Sequence, residues 1–134
     1  MIPDWPEGTV AILSTGGREP HAIPVSTAVR AGSRTIRFAL SHRRESLIRL
    51  REEPRCALTV VAHGVAFTVL GRAHVTDELE RVALVQLDVD SVQDHMQDTF
   101  AIDEGVRWRW TDEAAERADA QLRALLRGDG DVAP

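Results

Sequence analysis

The chain has 134 residues, 43% of them hydrophobic and 28% charged, which suits one domain with its own core. Its net charge of −5 excludes the basic field that a general nucleic-acid binder needs. The single cysteine, Cys56, excludes an intrachain disulfide and fits a reducing compartment. No apolar run approaches a membrane span. The start, Met1-Ile2-Pro3-Asp4-Trp5-Pro6, lacks the charged opening and apolar core of a signal peptide. The expectation is a cytoplasmic protein without membrane or nucleic-acid partners. All 16 basic residues are arginines, so a charged side chain on a phosphate must be a guanidinium.

Thr9–Thr15 reads as a strand, and Gly16–Pro20 as a hairpin turn. His21–Val29 reads as a second strand. Within it Pro24 has no N–H to give, so its nitrogen must face an edge, a bulge or a ligand. Ala31-Gly32-Ser33 turns the chain into a strand over Arg34–Leu40 that reaches Ser41. A helix over Arg43–Glu53 follows directly, with Leu47, Ile48 and Leu50 as its apolar stripe and Pro54 as its stop. Arg55–Ala62 and Val65–Val75 read as strands joined by the tight turn His63-Gly64. Gly71 marks a bulge or a close backbone approach in the second of them. Asp77–Val85 reads as a short helix and Val85–Val92 as a strand. Val106–Trp110 alternates as a last strand. Thr111 then caps a helix over Asp112–Leu126, whose apolar face is Ala115, Ala118, Leu122, Leu125 and Leu126. Residues 1–127 form one domain, and Gly128–Pro134 is expected to be a disordered tail. Six or seven short strands with two or three helices predict a mainly β protein, a small β-barrel with helical decoration.

The chemistry-bearing stretch is Ser41–Leu47, where a strand turns into a helix. Arg43 and Arg44 stand in the expected first turn, Ser41 just before them and Ser46 just after. A helix N-terminus is the positive end of the peptide dipoles, so two guanidinium groups there repel it mildly. An anion would resolve that conflict, and a phosphate is the usual one. A solvated, arginine-rich helix start is the plainer alternative. Trp108 and Trp110 would share one face of their strand, as a core or interface pair or as a wall over a ligand. Asp88, Asp90 and His95 are explained by a half-solvated strand, and no metal site is expected. His21 and His42 flank the arginine turn, but no orienting carboxylate can be paired with either. Ser14, Ser26 and Ser41 lack a nucleophile-elbow pattern. Cys56, in an apolar run, reads as a buried packing residue.

The order of these segments resembles the pyridoxamine 5'-phosphate oxidase-like split-barrel flavin-binding proteins. The matching pieces are Val10–Thr15, Pro20–Val25, the strand ending at Ser41, Arg43-Arg44-Glu45-Ser46-Leu47, Glu52–Arg55 with the strand to Val61, and Val69–Ala73. They cover roughly residues 8–76. The resemblance implies a homodimeric six-stranded antiparallel split barrel with FMN in clefts between subunits. It implies that Pro24, Val25, Ser26 and Thr27 flank the flavin ring and ribityl chain. It places Leu40, Ser41, Arg43, Arg44 and Ser46 at the phosphate, with Arg43 where the family often has Lys and Ser46 where it often has Asn. By position only, Trp108 and Trp110 would stand over the flavin. The oxidases proper are longer, which argues against pyridoxamine phosphate itself as substrate. The expected activity is FMN-dependent hydride transfer to or from a small organic molecule, with no side chain assigned as catalytic. The alternatives are a deazaflavin-dependent reductase of the same fold, its groove extended by Arg18, Arg30, Arg37 and Arg49, and a non-enzymatic flavin or phosphate-ligand binder.

Overall fold

The computed structural model describes residues 2–128. Seven strands and two helices follow one another in the order β1 (Ala11–Thr15), β2 (His21–Val25), β3 (Val29–Gly32), β4 (Thr35–Ser41), α1 (Glu45–Glu52), β5 (Arg55–Ala62), β6 (Val65–Glu78), β7 (Val82–Asp94) and α2 (Glu113–Arg127). All strand pairs are antiparallel, in the sheet order β2-β1-β5-β6-β7-β4-β3. The sheet curls around one core, and α1 touches β1 and β2 near one edge and β4 near the other. Alternating residues point inward, as the period of a strand requires: Leu13, Phe38, Leu58, Val60, Phe67, Val69 and Leu87 are all fully buried. Leu47 and Leu50 of α1 join the same core, and Trp5 packs on Phe67 with ring centroids 5.8 Å apart.

Turn chemistry sets the hairpins. Gly17 (φ 110°) and Gly64 (φ 73°) take the left-handed conformations that close β1–β2 and β5–β6. Gly71 sits at a β6 bulge. A Cβ there would lie 2.0 Å from the Asp88 carbonyl oxygen, so only glycine allows β7 to come this close. Pro24 lies on β2, an edge strand, where its missing N–H costs no ladder bond.

Several elements differ from the sequence reading. The expected strand His21–Val29 is two strands. Between them Thr27 Oγ1 donates to the Ala39 carbonyl (3.3 Å) and accepts from the Ala39 N–H (3.0 Å), so a side chain replaces the ladder. This break adds one strand, and the loss of the expected last strand, Val106–Trp110, leaves seven. Asp77–Val85 is not a helix: β6 runs to Glu78 and β7 starts at Val82. The apolar run Val82–Val85 looked helical because both of its faces are covered. Ala83 and Val85 enter the main core, while Leu84 joins Val29 and Leu126 in a second small core beneath α2. Val106–Trp110 is not a strand, because residues 95–112 follow an irregular path along the end of the β5–β6 hairpin. Gly64 N–H donates to the Ile102 carbonyl there, at 2.9 Å. Asp112, not Thr111, caps α2, its Oδ1 accepting from Ala115 N–H at 3.0 Å. Gly128 (φ 85°) ends α2, and the rest of the expected tail lies outside the described residues.

The outer face of the β2-β1-β5-β6-β7 wall has an unusual composition. Pro24, Ile12, Thr59, Thr68 and Gln93 form one cross-strand row, and Ala22, Ser14, Ala57, Leu70 and Ser91 the next. Neither row carries a charge, and Ile12 and Leu70 are 39% and 36% exposed.

Candidate functional site

The site grows from the end of β4. Ser41 closes the connection to α1 with both of its oxygens: the carbonyl accepts from Arg44 N–H at 2.9 Å, and Oγ accepts from Arg43 N–H at 3.3 Å. His42 pins the same turn to the β6–β7 hairpin. Its Nε2 lies 2.7 Å from the Leu79 carbonyl oxygen, and its N–H donates to the Arg81 carbonyl at 3.3 Å. Helix α1 begins at Glu45, with Arg44 as an extended N-cap. Arg43 and Arg44 therefore precede the first helical turn rather than forming it. No side chain caps α1. Both arginines are exposed, and neither guanidinium has a carboxylate or hydrogen-bond partner among the described residues.

The other arginines divide: Arg18, Arg34, Arg72, Arg81 and Arg109 likewise have no side-chain partner among the described residues, and the rest are paired. Arg30 pairs with Asp4 at 2.6 Å. Arg37 donates to the Leu126 carbonyl at 3.0 Å and to Thr76 Oγ1 at 3.2 Å, fastening the end of α2. Arg49 donates to Glu45 and to the Glu19 carbonyl. Three of the four arginines expected to widen a basic groove are thus used inside the chain; Arg18 alone of the four has no such contact among the described residues.

The other sequence candidates are distributed differently. Ser46 is fully buried, and its hydroxyl lies 3.3 Å from His21 Nδ1. Val25 and Leu40 are core residues. Thr27 is bound to Ala39, and Ser26 Oγ donates to Asp119 Oδ2 of α2 at 2.7 Å. Pro24 is exposed on β2. Trp108 and Trp110 meet edge to face at 4.9 Å, and the Trp108 indole N–H donates to the Gly8 carbonyl at 3.3 Å. Gly8 precedes β1, whereas His21, which touches α1, pairs with Thr15 at the far end of β1. Within one chain the tryptophans and the arginine turn therefore lie at opposite ends of that strand.

A contact that sequence reasoning did not find supports the turn. His21 Nε2 lies 3.1 Å from Glu45 Oε2, the first residue of α1. Arg49 Nε donates to the same oxygen at 3.2 Å. The two partners of His21 stand 24 and 25 positions away, so no local spacing signals the cluster. His95, considered for a metal, lies 2.8 Å from Thr68 Oγ1 through its Nε2. Among the described residues no three His, Cys, Asp or Glu side chains converge on a cation position, and no helix is long and apolar enough to cross a membrane.

Comparison with solved structures places this architecture. The flavin reductase component of a bacterial two-component tryptophan halogenase superposes with a TM-score of 0.60 at 11% identity, over 67% of this chain and 81% of that one. A Streptomyces globisporus NADH:FAD oxidoreductase gives 0.58 at 13% identity, over 65% and 75%. A Listeria innocua protein provisionally classed as a pyridoxamine 5'-phosphate oxidase gives 0.55 at 12%, over 65% and 88%. The fold is the split barrel of the pyridoxamine 5'-phosphate oxidase-like and flavin reductase proteins. No family model matches the sequence, and no curated protein matches it.

Proposed function

We propose that the chain is a flavin-binding oxidoreductase of the split-barrel type, with FMN as its cofactor and Arg43 and Arg44 as the phosphate anchor. The observation that carries this reading is the pair of exposed guanidinium groups without partners, beside an uncapped helix start. Their chemistry suits a phosphate ester, which a guanidinium grips through two parallel N–H donors. The Ser41 hydroxyl, already accepting from Arg43 N–H, has its own proton left to donate. The remaining hydroxyls predicted at the cofactor are spent inside the protein, so recognition falls mainly on the arginines and on the exposed edge at Pro24. Bound flavin would supply the hydride-transfer chemistry; the chain binds and orients it. The solved flavin reductases of the same fold support the cofactor class. The deazaflavin alternative draws less support, because Arg30, Arg37 and Arg49 do not offer it a groove.

Replacing Arg43 by Ala should weaken FMN binding by about 1.5–3 kcal/mol, the range for a charge-assisted hydrogen bond. Quenching of flavin fluorescence in a titration measures this. Unchanged affinity would remove the phosphate assignment.

The same reading includes a homodimer. The two uncharged rows on the outer wall suit a second copy of the same surface, because like faces meet across a two-fold axis without charge repulsion. Ile12→Arg should place a charge in that contact and shift sedimentation from dimer to monomer. A wild-type monomer at micromolar concentration would contradict the dimer.

A further inference from the structure

The first residue of α1 is a glutamate, and a carboxylate in that position normally turns toward the helix start. There it would compete with any incoming anion and pair with the neighbouring guanidinium groups. In this chain it does neither. Glu45 Oε2 is taken by His21 Nε2 at 3.1 Å and by Arg49 Nε at 3.2 Å. Both donors pull it to the side of α1 that faces the β1–β2 turn. Each donor is itself fixed. Arg49 NH1 donates to the Glu19 carbonyl at 2.6 Å, so it cannot follow Glu45 elsewhere without releasing that turn. The Nδ1 of His21 faces the fully buried Ser46 hydroxyl at 3.3 Å. With Ser46 donating to Nδ1, the imidazole carries its proton on Nε2, the nitrogen aimed at Glu45.

We propose that His21 is a positioning residue of the anion site: with Arg49 it holds the Glu45 carboxylate away from Arg43 and Arg44, leaving both guanidinium groups free for a ligand phosphate. The inference rests on the reading of Arg43 and Arg44 as the anchor. It adds that the site is kept open by a restrained carboxylate rather than by a lack of carboxylates. Loss of either restraint lets Glu45 turn toward the arginines and occupy them.

Sulfate is a suitable probe, because its charge is constant across the neutral range, with FMN as a second ligand. His21→Ala should weaken sulfate binding about threefold to tenfold, the effect of one screened unit charge at close range. Adding Glu45→Gln to that variant should restore wild-type affinity, since a neutral amide no longer competes. Arg49→Ala and its combination with Glu45→Gln should behave the same way, and they serve if His21→Ala does not fold. A purely structural role predicts the opposite: the double variants would bind no better than the single ones. That result, or an unaffected His21→Ala and Arg49→Ala, would overturn the proposal. Arg43→Ala in the wild-type background separates the two levels. If it leaves sulfate and FMN binding unchanged, the anchor itself is wrong; if it abolishes binding while the rescue fails, only the role of His21 is wrong.

Discussion

Two adjacent guanidinium groups in a chain with a net charge of −5 would ordinarily find carboxylates, and most arginines here do. Arg43 and Arg44 do not, and the nearest carboxylate in the sequence, Glu45, contacts His21 and Arg49 instead. The anomaly of positive side chains at a positive helix end was legible in the sequence. The restraint was not, because it depends on β2 lying beside α1. Ser46 shows the same limit from the other side. Its position in the motif suggested a ligand contact, but burial turned its hydroxyl inward to His21. Cys56 was read correctly from its apolar neighbours: burial pushes its thiol from 9.0 up to about 12. The folded state therefore keeps the proton that the unfolded chain releases above about pH 9. This group favours folding below pH 9, and that contribution is lost as pH rises from 9 to about 12. Alkylation of the native protein at pH 8 should accordingly be slow and should accelerate on adding denaturant. Complete labelling within minutes without denaturant would contradict the burial of this thiol.

At the scale of elements, strands bounded by strong turn signals were readable. Arg55–Ala62 has the bounds expected from its flanking Pro54 and His63-Gly64, and the bulge at Gly71 lies where a lone glycine interrupts a strand. The failures have separate causes, none of them visible in the local pattern. Val82–Val85 is apolar throughout because α2 covers the face of β7 that would otherwise meet water. Val106–Trp110 alternates, yet it contributes no strand to the sheet. Gly105, just before that segment, packs so closely on β5 that a Cβ would lie 2.2 Å from the Val61 carbonyl oxygen. Thr27 is a third case, because nothing local distinguishes a threonine that extends a strand from one that ends it by bonding across to Ala39.

For the whole molecule, the order of segments carried more information than any one of them. Each piece of the resemblance is loose, but together they anticipated the split barrel that the solved structures share at only 10–16% identity. The likeness reaches about two thirds of the chain. Asp119 of α2 receives hydrogen bonds from Ser26 and Arg123, joining α2 to the loop before β3. An anchor that recognises the phosphate of a flavin produces a preference that the flavin ring alone cannot. The most direct measurement is a pair of calorimetric titrations of the cofactor-free protein, one with FMN and one with riboflavin, which differ by the phosphate alone. FMN should bind at least about tenfold more tightly, the effect of one charge-assisted contact. Equal affinities, or no binding of either, would contradict such an anchor.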